Sequence, residues 1–280
     1  MRMIASLFVL FLASSLLADE PKVHRGLPYT NMKNERQTLD VYAPTKGDNL
    51  PVVFWIHGGG WRVGDKASVQ KKPQGFVGKG YVFVSTNYRF VPQVTVKEMA
   101  SDIAKAIRWV HDHAKKYGGD PKSILVMGHS AGAHLAALVC TDARYLKAEG
   151  LPLSIIKGCV PVDTAVYDVQ KQIGSIGPGR AAMYIGVFGK AESSQKEFSP
   201  ITHVAKGKNI PPFLILHVSD RADSKAQSQM FAEKLKGAGV TAQIVAAEGK
   251  THGTINADLG KPDDKPTQAL FEFLGGVLKK

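Results

Sequence analysis

The chain has 280 residues, 44% of them hydrophobic, with 28 glycines and 15 prolines, which is enough apolar material for a sizeable core broken by many strand-to-helix turns. Its formal charge is +12, yet Lys97, Lys105, Lys115 and Lys116 are spread along helix faces and no dense arginine and aromatic cluster exists, which argues against a nucleic-acid partner. No repeat, low-complexity linker or composition break divides the sequence, so one α/β domain is expected.

In chain order, Arg2 precedes an apolar run from Met3 to Leu17, and Ala18 offers a cleavage point before Asp19. Residues 1–18 read as a secretory signal peptide and residues 19–280 as the mature domain. The run is shorter than the roughly 20 residues needed to span a bilayer, so a secreted or periplasmic protein without a stable membrane anchor is expected. Beyond it, strands are predicted over 38–43, 51–56, 81–87, 123–128, 157–162, 212–218 and 241–246, and helices over 68–78, 95–117, 131–142, 224–237 and 266–279. This alternation predicts a mostly parallel central sheet with helices on both faces, with functional groups at the carboxyl ends of the strands.

Two stretches carry chemistry. Gly128-His129-Ser130-Ala131-Gly132 sets a serine between two glycines, after the apolar run Ser123 to Met127 and before the alanine-rich Ala133 to Leu138. This is the form of a nucleophile elbow, in which a Cβ at either glycine would strike the neighbouring strand or helix. Upstream, Val52 to Ile56 ends in His57-Gly58-Gly59-Gly60-Trp61, where consecutive glycines let backbone N–H groups approach a substrate carbonyl. The amides of Gly59, Gly60 and Ala131 are the expected oxyanion donors.

With these motifs the chain resembles the α/β-hydrolase family, in its His-Gly-Gly-Gly esterase branch, which is related to hormone-sensitive lipase and to bacterial feruloyl-esterase-like and arylformamidase-like enzymes. Leu39 to Tyr42, Asn87-Tyr88-Arg89, Gly119-Asp120-Pro121 and the Asp220 and His252 regions carry the likeness over nearly the whole mature chain. The resemblance implies an α/β-hydrolase fold and a serine carboxylesterase that works without metal or organic cofactor.

The remaining members of a triad are sought past later strands. Asp220 and Asp223 both follow Pro212 to Val218; Asp220 is taken as the acid, with Asp223 as the alternative, its other role being a helix-start acid beside Ser224. His252 follows the last strand, completing the order Ser, Asp, His that the fold requires. His57 and His129 are expected to brace backbone turns, while His111 and His113, two apart on a helix, make a poor metal pair. Trp61 and Tyr88 are expected to line the pocket mouth. Residues 163–211 are expected to build a wall or cap, with Tyr184, Phe188 and Phe198 as aromatic lining. Cys140 and Cys159 are read as buried thiols in preference to a disulfide. The substrate expected is a short-chain or aryl ester, including acetyl or feruloyl esters of polysaccharides. An aryl-formamidase, an amidase or peptidase on this fold, and a non-catalytic binding protein are the competing readings.

Overall fold

The computed structural model describes residues 20–279, so the leader expected over 1–18 lies outside the described residues. Eight strands form one sheet: β1 Lys22–Pro28, β2 Thr38–Ala43, β3 Leu50–Ile56, β4 Val82–Thr86, β5 Gly119–His129, β6 Ile156–Val162, β7 Phe213–Val218 and β8 Ala242–Ala247. Their spatial order is β1-β2-β4-β3-β5-β6-β7-β8. The β1/β2 and β2/β4 pairs are antiparallel and every other pair is parallel, as the alternating pattern predicts.

The helices are α1 Lys72–Val77, α2 Val96–His113, α3 Ala131–Thr141, α4 Arg144–Ala148, α5 Val169–Ser175, α6 Pro178–Phe188, α7 Glu192–Glu197, α8 Ala222–Gly237, α9 His252–Ala257 and α10 Lys265–Leu278. Strands covered on both faces must be apolar on both, which is why β3, β5 and β7 read as near-continuous hydrophobic runs and not as alternating ones. On one face, Phe54, Ile56 and Val126 pack with Ile103 and Ile107 of α2, Leu135 of α3 and Phe231 of α8. On the other, Trp55, Leu125 and Met127 pack with Phe76 of α1 and Leu270 and Phe273 of α10. No helix among the described residues is long and apolar enough to cross a membrane.

Two parts of this architecture escape the sequence pattern. The edge strand β1 is almost wholly exposed and interrupted by an irregularity between His24 and Leu27, so it lacks the alternation that marks a half-buried strand. Residues 163–211 hold α5, α6 and α7, each no longer than three turns. What matters for the site is that β3, β5, β6 and β7 are consecutive neighbours, so their carboxyl ends open onto one strip of surface.

Candidate active site

Ser130 sits between the end of β5 and the start of α3 with φ 55° and ψ −117°, a conformation that L-residues avoid and that turns its side chain out of the strand line. Two features hold the chain there. The Ser130 N–H donates to the Val162 carbonyl at 2.9 Å. A Cβ on Gly128 would collide with the Gly132 carbonyl, and one on Gly132 with the carbonyls of Ile56 and His57, so only glycine allows this approach of strand to helix.

His252 is the first residue of α9. Thr251 caps that helix reciprocally with Thr254, and the His129 ring donates from Nε2 to the His252 carbonyl at 2.9 Å. The imidazole then points Nε2 at Ser130 Oγ, 3.0 Å away, and Nδ1 at Asp163 Oδ2, 2.6 Å away. His129 packs against it with ring centroids 4.4 Å apart. Burial first, and then the neighbouring His252, lower the pKa of His129 to about 3; it is a neutral brace at working pH.

The acid facing His252 is Asp163, the residue directly after β6, and not Asp220. Asp163 is fully buried. Its Oδ1 accepts from the Val218 N–H at 3.0 Å and from Ser224 Oγ at 2.8 Å, and its Oδ2 accepts from His252 Nδ1 and from Arg221 Nη1 at 2.5 Å. Burial would raise the carboxyl pKa, but the His252, Val218, Arg221 and Ser224 contacts together hold it well below the carboxylate range. Asp220 is exposed, and its carboxylate takes a hydrogen bond from Ser219 Oγ at 3.2 Å. Asp223 accepts from the Ser224 N–H at 2.8 Å and from Gln172 at 3.3 Å, in keeping with a helix-start acid. The expectation failed because two acids past β7 drew the choice, although Asp163 satisfies the same rule one strand earlier: an acid immediately after an apolar strand. From the β7 end it is Arg221 that reaches the imidazole, with Nη1 2.8 Å from His252 Nδ1.

Gly58, Gly59 and Gly60 line the same cavity as Ser130 and His252, a cleft of about 420 Å³. Gly59 has φ 123°, and a Cβ there would collide with the Val63 carbonyl. The amides of Gly59 and Gly60 have no backbone acceptor among the described residues. Ala131, opening α3, presents an amide with no intrahelical partner. His57 is buried behind this loop, where burial lowers its pKa to about 4 against the opposing hydrogen bond it donates to the Gly58 carbonyl at 2.7 Å.

Trp61 and Tyr88 are not at the pocket mouth. Tyr88 is fully buried, stacks on His57 at 4.6 Å and donates its hydroxyl to the His57 carbonyl at 3.1 Å, so it braces the glycine loop from behind. Trp61 is buried against Phe188 at 5.0 Å and donates from Nε1 to His134 at 3.3 Å. His134 donates in turn to the Phe198 carbonyl at 2.8 Å. Phe188 therefore packs onto His134 of the elbow helix and Tyr184 onto Trp61, and neither they nor Phe198 line the Ser130 cleft. The cleft runs instead past Trp55, Asp65, Ser68 and Asn256. Of these residues, Trp55 Nε1 and Asn256 Oδ1 are themselves buried atoms with no hydrogen-bond partner among the described residues. No grouping of three metal-binding side chains occurs among the described residues.

A model of the BD-FAE family matches residues 39–235, well over half of the chain. The chain belongs to the BD-FAE family. Among relatives of this BD-FAE chain, an isoprenylcysteine alpha-carbonyl methylesterase of Arabidopsis thaliana is 30% identical over 246 residues, covering 82% of this chain and 56% of that protein. Esterase LipQ of Mycobacterium tuberculosis is 28% identical, with 90% of this chain and 65% of the relative covered. The first relatives are longer: the BD-FAE chain spans about half of their length. Among solved structures, the thermophilic esterase Est2 of the Planctomycetes species Thermogutta terrifontis superposes with a TM-score of 0.67 at 27% identity, covering 94% of this chain and 92% of the other. Together with the strand order, this identifies the architecture as an α/β-hydrolase fold.

Proposed function

We propose that this protein is a serine carboxylesterase that hydrolyses short-chain or aryl carboxylic esters through Ser130, His252 and Asp163. The observation that carries the reading is the line of contacts from Ser130 Oγ to His252 Nε2 at 3.0 Å and from His252 Nδ1 to Asp163 at 2.6 Å, at the end of a strained elbow. The relatives named esterase and methylesterase support it.

In this reading Asp163 holds the proton on Nδ1, which leaves Nε2 free to accept the Ser130 proton as Oγ attacks the ester carbonyl. The tetrahedral oxyanion is stabilised by the amides of Gly59, Gly60 and Ala131, each such donor contributing about 3 kcal/mol in the transition state. His252 next protonates the leaving alcohol. Water, deprotonated by the same imidazole, then releases the acid from the acyl-enzyme. Every proton moves through His252, so the chemistry needs no cofactor.

The alcohol side of the substrate is hydroxylated in this proposal, as in acetyl or feruloyl esters of polysaccharides. The cleft beside Ser130 and His252 carries the polar side chains of Asp65, Ser68 and Asn256, which can exchange hydrogen bonds with a hydroxylated alcohol, where a hydrocarbon offers none. Asn256 lies one turn beyond His252 on α9 and lines the same cleft. Action outside the cytoplasm belongs to the same proposal and is supported by the apolar run after Arg2.

Purified protein is expected to hydrolyse p-nitrophenyl acetate, and Ser130→Ala to lower kcat by at least about 10³-fold. An alanine variant that keeps wild-type turnover would overturn the mechanism. Acetylated xylan, compared with ethyl acetate, tests the alcohol assignment, and methyl ferulate, compared with methyl acetate, tests the acyl side.

A further inference from the structure

We propose that Arg221 is a positioning residue for His252: it holds Asp163 by one carboxylate oxygen and sets a fixed positive charge within hydrogen-bonding distance of the imidazole that has to take the Ser130 proton. The inference rests on the esterase reading above and adds a group which that reading does not use.

The geometry is specific. Asp163 Oδ2 receives two donors, His252 Nδ1 at 2.6 Å and Arg221 Nη1 at 2.5 Å, which brings Nη1 within 2.8 Å of Nδ1. With Nδ1 protonated, those two nitrogens converge as donors on one oxygen. The other oxygen is occupied by the Val218 N–H and Ser224 Oγ, so the carboxylate cannot rotate to separate them. Asp163 is fully buried and the Arg221 side chain is 28% exposed, so solvent screens the pair weakly at its carboxylate end.

This changes the charge balance of the site. An acid standing alone behind a histidine offsets the charge that the imidazole gains when it takes a proton. Here the guanidinium already cancels the Asp163 charge, and an imidazolium would form with a like charge within hydrogen-bonding distance, an arrangement that disfavours the protonated ring. The other groups around His252 do not substitute for it. His129, from β5, is neutral at working pH, and Ser130 carries no charge. Asp223, from the start of α8, lies 3.6 Å from Arg221 Nη2 and 4.0 Å from Arg180, and so faces the guanidinium from its outer side. Along α9 and its approach, Lys250 is paired with Asp258 at 2.7 Å. Lys72 meets the helix at the Asn256 carbonyl, one turn away.

The test is the pH profile of kcat/KM for p-nitrophenyl acetate in wild type, Arg221→Gln and Arg221→Lys. In Arg221→Gln the acid limb is expected to move up by about one pH unit, with KM on the plateau within about twofold of wild type, because the effect passes through His252 and not through substrate contact. Arg221→Lys keeps the charge and is expected to restore the acid limb. An acid limb in Arg221→Gln that coincides with wild type, or a pH-independent loss of kcat, overturns the proposal by reducing Arg221 to a structural clamp. Should the glutamine variant not fold, a lysine variant whose limb rises by the same unit overturns it equally. Turnover surviving in Ser130→Ala would sink the esterase reading itself, whereas an inactive Ser130→Ala with an unmoved Arg221→Gln limb sinks this inference alone.

Discussion

Both oxygens of Asp163 are occupied by protein donors, which makes this side chain the most constrained acid near the cleft. Its folded pKa lies below the ordinary carboxylate value of about 3.9, so the stability it contributes is present above that value and is lost only as pH falls through the depressed one. Asparagine at this position would keep the shape but offer an amide N–H where an acceptor is required. Asp163→Asn is therefore expected to lower kcat on the order of 10³–10⁴-fold, while Asp220→Asn stays within about twofold of wild type. Steady-state kinetics on the pair decides it; equal losses, or a larger loss at Asp220, would return the acid to the β7 loop. Ser130 and His252 were readable in the sequence because glycines flank the first and chain order singles out the second. Asp163 was hidden because its partner comes from 89 positions away and its local surroundings, an acid after a strand, occur three times within residues 163–223.

Helix α9 is only six residues long, too short to persist by itself, yet it carries His252 and one wall of the cleft. Lys72 at the start of α1 helps fix it. The ammonium is buried above the Trp55 ring at 4.5 Å and donates to the Asn256 carbonyl at 2.8 Å and to Gln70 at 3.0 Å, with no carboxylate among those partners. Burial lowers its pKa to about 7. The unfolded chain keeps the Lys72 proton up to about pH 10.4, so between about pH 7 and 10 the unfolded state binds more protons and stability rises with pH. Below pH 7 the penalty for burying the charge is fully present. Relative to Lys72→Met, wild type is expected to gain on the order of a few kcal/mol from pH 7 to pH 10, read from urea midpoints at each pH. A constant difference across that range would show that the lysine is charged throughout. Such clamps are not legible in advance: Lys72 sits among polar neighbours in the sequence, and only folding places it under β3. For the same reason α2 and α8 were readable from length, whereas α5 and α7, of seven and six residues, fell below the length at which a helical period separates from chance.

The sheet as a unit was the most legible feature, since seven of its eight strands are apolar runs of the right length and their alternation with helices dictates parallel pairing. Its order makes the site by adjacency: β3 supplies the glycine loop, β5 the serine, β6 the acid and β7 the arginine. The same adjacency brings together Cys140 on α3 and Cys159 on β6, both free and fully buried. Burial, and then the neighbouring Cys140, push the Cys159 thiol up, and both sulfurs are shut away from reagents in the closed molecule. The pair is thus a built-in recorder of opening, located where the serine-bearing helix meets the acid-bearing strand. Labelling by an aromatic disulfide reagent is expected to be slow in native buffer and to accelerate with denaturant in step with global unfolding. Fast labelling of the native protein would mean that this seam breathes independently. Followed beside the decay of ester hydrolysis on heating, the two sulfurs would time whether turnover stops before the molecule comes apart or because it does.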